Sequence, residues 1–547
     1  QVKGVDDNYG QWVNVRFTFD FANDTYDYHI HDEKNGITRS GSGVSLRNGG
    51  GDAEEIRFEN YNTSWDSGGA CHMWLDDFDL VYTEDRPNVY VMFAEDWNWG
   101  TVWDDPTLQT PEYDSLANDG MEFEDAYCSS PSCSPARSAI LSGEHFWRTG
   151  SGSVLWGDYP DDLQSYPDLL DQAGYFVGRR GKGYGPGGNA DAAGQSYSSF
   201  SDFLDSRSGD TPFCFWDGPE EAHRGFPTPS VNPDNVDVPP YLPDTQDVRE
   251  DIAAYYEDVM AIDTRIGNRI QELKDAGELD NTMFIVTADH GFAFPRAKTQ
   301  LYDAGTKVPL LVHWPNEVSG GQTSSEFVNF PDIAPTILEA AGVDVPEAMT
   351  GESFLRSLTA PGTDPRNKRE AFLGIERHVP GQEPSDCAEG YPMRAIRTQD
   401  YLYIYNFAPG HWPMGTPDYA NSCGPEDRWI ANADNGPTKK FMYANRDRDD
   451  VTANDDGDSI KDLYDLAVAK RPQEELCGLG CDPHQLNNVA GDSAYDSVRQ
   501  DLHDRLFTEL NDTADPRVVG ADSVFDYAYS GGYVTYPGDS EISRYEL

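Results

Sequence analysis

Basic residues are scarce in this chain. Across 547 residues, 40 Lys and Arg stand against 96 Asp and Glu, for a formal net charge of −56. A surface of that sign repels nucleic acid and other polyanions, so nucleic-acid binding is excluded as a function class. Cysteine is sparse as well. The eight, Cys71, Cys128, Cys133, Cys214, Cys387, Cys423, Cys477 and Cys481, are too few for a disulfide-built scaffold but fit a secreted enzyme with a few bridges. Cys477 and Cys481 form the expected local pair, and no second Cys or His pair follows them at zinc-ligand spacing. Long apolar runs are missing too. The longest, Asn88 to Ala94, suits a buried strand and is far short of a membrane span. The chain opens on Gln1 without a Met or a leader, so a processed or partial sequence is expected, from a secreted or periplasmic protein. So acidic a surface is soluble where salt screens its self-repulsion, which predicts a saline, marine or halophilic setting.

What is present is ample for folding. Hydrophobic residues make up 38% and aromatics 12%, and the length predicts two or three domains. Residues 1 to about 85 alternate polar and apolar side chains, most clearly from Gln11 to Phe21, Thr25 to Ile30 and Trp74 to Tyr82, which is the period of antiparallel strands. From Arg86 strands alternate with helices. A strand is predicted from Asn88 to Ala94, and a short helix from Tyr166 to Ala173 leads into Tyr175 to Arg180. A long amphipathic helix from Val248 to Ala276 carries Ile252, Tyr255, Tyr256, Val259, Met260, Ile262, Ile266 and Ile270 on its apolar face. Further strands run from Asn281 to Ala288 and from Val308 to His313. This is an α/β pattern, in which functional residues gather where strands end. After about residue 375 the chain turns aromatic and β-like, as from Tyr401 to Asn406, and a helix follows near Ser497 to Leu510.

One segment carries a specific signal. Cys133-Ser134-Pro135-Ala136-Arg137 runs into Leu141-Ser142-Gly143, and the residues after Pro135 are helix-compatible. A helix start there favours an anion beside Cys133, and Arg137, one turn on, faces the same site. Acidic groups close two of the strands, Glu95-Asp96 after one and Asp289-His290 after another. Carboxylates at neighbouring strand ends can converge on one hard cation. Lys182 lies in the turn Gly181-Lys182-Gly183-Tyr184-Gly185, and Lys298 precedes the segment from Leu301 to Pro309. In a chain so poor in cations, a basic group in a Gly-rich turn stands out.

The Cys-x-Pro-x-Arg run with its Leu-Ser-Gly end resembles the signature of the type I, formylglycine-dependent sulfatases of the alkaline phosphatase superfamily. The resemblance extends from Arg86 to about Asn487 and includes Leu463-Tyr464-Asp465-Leu466 and Gln485-Leu486-Asn487-Asn488. The runs from Tyr391 to Arg397 and from Asp332 to Thr336 are similar to the branch containing heparan N-sulfatase (sulfamidase) and bacterial polysaccharide sulfatases. The resemblance implies an α/β fold with a large mixed sheet sandwiched by helices over residues 86–375. A smaller C-terminal α+β subdomain and tail would take residues 376–547. Residues 1–85 look like part of a laminin-G or concanavalin-type β-sandwich.

The resemblance also implies site roles. Cys133 would be oxidised to formylglycine by a formylglycine-generating or sulfatase-maturating enzyme, and the hydrated aldehyde would be the nucleophile. Calcium would sit on Glu95, Asp96, Asp289 and His290; Asp is usual where Glu95 stands. Arg137 would orient the nucleophile. Lys182, His223 and Lys298 would hold sulfate, with His223 or Lys298 protonating the leaving alcohol. Arg377, His378 and Tyr184 are expected on the substrate side. The family has Gly-Lys-x-His where this chain has Gly181-Lys182-Gly183-Tyr184, so Tyr184 replaces the His beside the nucleophile.

The expected activity is hydrolysis of sulfate esters, or N-sulfates, of a sulfated poly- or oligosaccharide, with no nucleic-acid partner and no membrane span. Two alternatives stand beside it. One is a phosphomonoesterase or phosphonate hydrolase of the same superfamily. The other is a glycan-binding protein with a catalytically dead domain. A disulfide between Cys128 and Cys133 would abolish the modification.

Overall fold

The computed structural model describes residues 86–99, 105–361, 366, 368–379, 389–417, 430–521, 523–525, 544 and 547 with their side chains, and residues 2–3, 13–20, 25–32, 37–45 and 522 by backbone. The expected strand from Trp74 to Tyr82, and Cys71, Cys387 and Cys423, lie outside the described residues. The chain divides after Glu84 into two compact units. In the first, β1 (Val2–Lys3), β2 (Val13–Asp20), β3 (Thr25–Asp32) and β4 (Ile37–Ser45) form one antiparallel sheet in sequential order.

The second unit, Asp85–Leu547, is built on an eight-stranded sheet. Its strands are β5 (Asn88–Ala94), β6 (Met121–Tyr127), β7 (Phe176–Gly181), β8 (Gln195–Ser196), β9 (Phe213–Gly218), β10 (Thr282–Ala288), β11 (Leu310–His313) and β12 (Gln322–Asn329). The spatial order is β12-β6-β11-β10-β5-β9-β7-β8. Strands β10, β5, β9, β7 and β8 are parallel, β6 and β12 are parallel to each other, and β11 is antiparallel to both its neighbours.

Cover on both faces explains why the central strands are so apolar. All seven residues of β5 are buried. Tyr90, Met92 and Ala94 join one hydrophobic cluster, and Val89, Val91 and Phe93 join the other, because successive side chains point to opposite faces. Five helices of this unit, in chain order, are α1 (Pro111–Asn118), α2 (Cys133–Ser142), α3 (Tyr166–Gln172), α4 (Phe200–Ser206) and α5 (Gln246–Ala276). The long helix α5 lays Ile252, Tyr255, Val259, Ile262 and Ile266 into the first cluster, the spacing of an amphipathic stripe. It stops at Gly277, φ 72°, whose N–H donates to the Leu273 and Lys274 carbonyls. Helices α2 and α3 place Ala136, Ile140, Tyr166 and Leu170 in the second cluster. Truncating a fully buried aliphatic side chain such as Ile262 would cost about 2–5 kcal/mol.

A smaller antiparallel sheet consists of β13 (Glu370–Ile375), β14 (Met393–Thr398), β15 (Tyr401–Asn406) and β16 (Glu474–Gly478) in sequential order. The helix Asp496–Asp512 packs on β14 and β15. The expected bridge between Cys477 and Cys481 is not formed. Cys477 is buried in β16 with its sulfur 3.9 Å from the Gln485 carbonyl, and Cys481 is exposed with its sulfur 3.8 Å from the Gly478 carbonyl. The strand turns the first thiol inward while the turn after it leaves the second at the surface.

Candidate active site

The candidate residues gather at the carboxyl ends of the parallel strands and at the start of α2. Glu95 and Asp96 follow β5, Lys182 follows β7, and Asp289 and His290 follow β10. The register that aligns Ala94 with Ala288 brings the two acidic segments side by side. The Asp96 N–H donates to Asp289 Oδ1 at 3.1 Å, and the Asp96 carbonyl accepts the Tyr255 hydroxyl at 2.9 Å. Asp96 has φ 47°, a left-handed backbone that Asp tolerates better than most residues. It redirects the chain at the strand end so that the carboxylate faces the site.

Cys133 is the first residue of α2, and all ten residues of this helix are buried. Its sulfur lies 3.6 Å from His290 Nε2. Both Cys128 and Cys133 are free thiols, so nothing bridges them. The N-cap residue, Ser132, makes no side-chain cap; its hydroxyl is 2.8 Å from His378 Nδ1 instead. The first amides of α2 are left without that cap at the end of the helix that favours anions.

Arg137 is buried. Nη2 donates to Glu95 Oε1 at 2.8 Å and to Asp289 Oδ2 at 3.3 Å, and Nη1 donates to the Gly183 carbonyl at 2.8 Å and the Lys182 carbonyl at 3.1 Å. Glu95 Oε1 also pairs with Lys182 Nζ. The backbone there depends on glycine: Gly181 has φ 68°, and a Cβ on it would lie 2.1 Å from the Gly218 carbonyl oxygen. Lys298 is buried between two carboxylates, with Nζ 3.1 Å from Asp96 Oδ2 and 2.9 Å from Asp434 Oδ2.

Charge and burial set the protonation states. Burial raises the Asp289 carboxyl, but His290, Arg137 and Lys182 outweigh it and hold it below the usual range. Burial dominates at Asp96 and raises it despite Lys298 and His290. Burial works against the His290 imidazolium, yet Asp289 and Asp96 push it up to about 9. His290 Nδ1 lies 3.0 Å from the Gly291 carbonyl, a bond that leaves Nε2 toward Cys133 and Asp289. Lys298 is raised well above its ordinary value, because Asp434 and Asp96 override its burial.

This arrangement fits a cation. Asp96 Oδ1 is buried, makes no aligned hydrogen bond and has His290 Nδ1 beside it at 3.1 Å, and the ligand atoms of Cys133, Asp289 and His290 lie within 4.8 Å of one another. Two carboxylates with an imidazole suit a divalent ion. Glu95 differs, since its Oε1 is already shared by Arg137 and Lys182.

The remaining expected residues are more spread. His223, after β9, is exposed, with Nδ1 3.2 Å from the Arg224 carbonyl, and lies within electrostatic reach of Glu95, Asp96 and Asp434. Arg377 and His378 are buried after β13, and burial, with Lys298, depresses His378 to about 3. Its imidazole is neutral, a hydrogen-bonding group and not a cation. Tyr184 is buried, and its hydroxyl donates to the Gly157 carbonyl at 2.7 Å. Burial raises that phenol above its ordinary value, so it is no base for a nearby hydroxyl. Sequence reasoning missed Ser132 and Asp434. Ser132 adjoins the Cys133 motif and could have been weighed; Asp434 lies 136 residues beyond Lys298 in an unremarkable Asp-Asn-Gly turn.

Comparison with known proteins places the chain among relatives. The family described as Sulfatase matches residues 87–343, and the one described as N-sulphoglucosamine sulphohydrolase, C-terminal, matches residues 289–411. Human N-sulphoglucosamine sulphohydrolase is 27% identical over 492 residues, covering 81% of this chain and 93% of that protein. An ulvan-active sulfatase of Formosa agariphila is 24% identical over 489 residues, covering 79% of this chain and 76% of that protein. In fold, the chain is similar to a protein solved with its substrate D-glucosamine-2-N,6-O-disulfate, with a TM-score of 0.56 and 18% identity over 79% of this chain and 98% of that one. It is also similar to the phosphonate monoester hydrolase of Silicibacter pomeroyi, with a TM-score of 0.56 and 16% identity over 78% of this chain and 96% of that one. The mixed sheet, the strand-end cluster and these matches together make the chain a member of the sulfatase family, with the alkaline-phosphatase-like fold of the sulfuric ester hydrolases.

Proposed function

We propose that the protein removes sulfate from a sulfated poly- or oligosaccharide, using a formylglycine at position 133 and calcium. The observation that carries this reading is the meeting of Cys133, Asp289 and His290 at one point, beside the buried cations Arg137 and Lys298. Formylglycine would supply a hydrated aldehyde as nucleophile, and calcium on Asp96, Asp289 and His290 would draw charge from the sulfate oxygens. Conversion of Cys133 replaces a soft sulfur by hard oxygen in the donor set, which supports calcium. Glu95 acts chiefly by holding Arg137 and Lys182 in place.

The chain's own groups divide the remaining work. Arg137 is fixed by four acceptors and orients residue 133. Lys182 and Lys298 bring positive charge to the sulfate oxygens. Lys298 is held charged by two carboxylates, so it serves as a fixed donor, and the exposed His223 hands the proton to the leaving alcohol. His378 offers a neutral imidazole on the substrate side.

The relatives named for sulfated sugars and for ulvan support a sulfated glycan as substrate. The net charge of −56 supports a secreted protein of a saline setting. A phosphonate or phosphate monoester is the second reading, given the fold similarity to a phosphonate hydrolase. Asp434 beside Lys298 weighs against the phosphate monoester, whose dianion meets more repulsion there than a monoanionic sulfate; a phosphonate monoester, itself a monoanion, is separated by turnover alone. The test is turnover of an aryl sulfate against the matching aryl phosphate, with intact-mass analysis of residue 133. Sulfate release from a chain carrying the aldehyde is expected; faster phosphate release by unmodified Cys133 would overturn the reading.

A further inference from the structure

Among the described residues, Asp434 is a carboxylate of the site whose part in this chemistry, keeping Lys298 charged, occupies a single oxygen. It pairs with Lys298 through Oδ2 at 2.9 Å, and Lys298 in turn reaches Asp96. Asp434 therefore stands one ammonium group away from the metal-binding carboxylates. Its other oxygen, Oδ1, has no hydrogen-bond partner among the described residues, and the side chain is 20% exposed. Lys298 and His223 hold the group ionised against its burial.

Its loop is tied down from several directions. The Asn432 carbonyl accepts the Thr299 hydroxyl at 3.2 Å, and Asn432 Oδ1 accepts the Val379 N–H at 3.3 Å. The Ala433 carbonyl accepts from the buried Lys439 Nζ at 2.9 Å. Gly436 lies against the Arg224 guanidinium so closely that a Cβ would come within 2.2 Å of it. Arg224 is bidentate on Asp251, which also takes the N–H and hydroxyl of Thr438. A carboxylate held this firmly, open on one oxygen, is placed to accept a hydrogen bond and does not drift in solvent.

A negative charge beside a sulfate site opposes binding of an anionic ester unless the substrate compensates it. The compensation is a donor on the sugar. We propose that Asp434 Oδ1 is the specificity-determining group of this enzyme. It accepts a hydrogen bond from a free hydroxyl or amine on the carbon next to the sulfated position, and it rejects sugars in which that neighbour carries a second sulfate or a carboxylate. This rests on the sulfatase reading above and names the substrate class within it: glycan units sulfated at one position with an unmodified donor beside it.

The test uses the mature full-length enzyme with calcium, and the variants Asp434→Asn and Asp434→Ala. Three probes are compared by kcat/KM: 4-nitrophenyl sulfate, glucosamine N-sulfate as a singly sulfated sugar with its neighbouring C3 hydroxyl free, and glucosamine 2-N,3-O-disulfate, in which that neighbour carries a second sulfate. The wild type is expected to prefer the singly sulfated sugar to the disulfated one. Asp434→Ala is expected to lower the ratio of singly sulfated sugar to aryl sulfate by about tenfold to a hundredfold, the worth of one hydrogen bond to a charged group. Asp434→Asn keeps an acceptor and is expected to keep part of that ratio while it relaxes the rejection of the disulfated sugar. Equal loss on all three probes would make Asp434 a positioning residue for Lys298 and overturn the proposal, as would unchanged ratios or a wild-type preference for the disulfated sugar. A mature wild type that releases sulfate from none of the probes overturns the sulfatase reading itself, and this proposal with it. Thermal melts of both variants separate a folding defect from a change in selectivity.

Discussion

Arg137 Nη2 lies 2.8 Å from Glu95 Oε1, and both side chains are almost wholly buried. The same oxygen pairs with Lys182, so one carboxylate holds two cations of the site in register. Burial raises the Glu95 carboxyl, but Lys182 and Arg137 overcome this and keep it ionised.

Breaking this pair should therefore cost stability as well as activity. Glu95→Gln leaves the buried Arg137 with its longer Asp289 contact and takes the ion pair from the half-buried Lys182, and a loss of about 3–5 kcal/mol is expected. Urea unfolding of wild type and variant measures it. A change below about 1 kcal/mol would place Glu95 outside the ionic framework.

Cys133→Ala should abolish sulfate release while the melting temperature stays within a few degrees of wild type. The thiol is small and joins neither a disulfide nor an ion pair. Ion chromatography of released sulfate is the readout. Intact mass of the wild type should show CH2SH exchanged for CHO, and near-normal turnover by the Ala variant would end the proposed chemistry.

Calcium should stabilise the fold in proportion to its concentration, by RT ln(1 + [L]/Kd). Chelation is expected to lower the melting temperature and stop turnover, with both restored by added calcium. Asp289→Asn removes a carboxylate from the candidate cluster and should erase the calcium-dependent shift; a shift that survives would point to a different site.

Acid should destabilise the protein partly through His378. Burial, with Lys298, depresses this imidazole to about 3, and Asp434, His290 and His223 also face it. A folded pKa below the unfolded one of about 6.5 means the unfolded chain binds the proton first. The contribution is complete above pH ~6.5 and is lost as the pH falls toward the folded value, at about 1.4 kcal/mol for each unit crossed. His378→Gln should flatten the stability-against-pH curve between those limits. Parallel curves for variant and wild type would contradict the assignment.

Salt should raise stability before it lowers substrate binding. Going from about 0.01 M to about 1 M shrinks the screening length from ~30 Å to ~3 Å, which relieves self-repulsion in a chain of net charge −56. Denaturation midpoints over that range test this; a monotonic decline would remove the support for a saline setting.

Much of the fold could be read along the chain. The strand from Asn88 to Ala94 coincides with β5, and the helix read from Val248 to Ala276 is α5, which starts two residues earlier. Long runs with one clear period leave few alternatives. Strands β6 and β12 were not legible: Met121–Tyr127 mixes Glu and Asp among its apolar residues, and Gln322–Asn329 begins Gln-Thr-Ser-Ser. They belong to the sheet because β6 pairs with β11 and β12 with β6, which no local pattern records. The Cys477–Cys481 pair was misread because sequence proximity says nothing of where thiols point.

The sequence by itself singled out the candidate nucleophile, through the resemblance carried by the Cys133 run, and the candidate strand-end ligands. Cys133 with Arg137 one turn on, Glu95-Asp96 after β5 and Asp289-His290 after β10 follow from spacing within single elements, and a parallel sheet brings its strand ends to one edge. Tertiary structure alone decided the rest. It gave Glu95 to Arg137 and Lys182, committed the Tyr184 hydroxyl to Gly157, joined Ser132 to His378, and carried Asp434 across 136 residues to Lys298. These are contacts between groups far apart in the chain. Their geometry and protonation depend on burial and neighbouring charge, which exist only once the chain has folded.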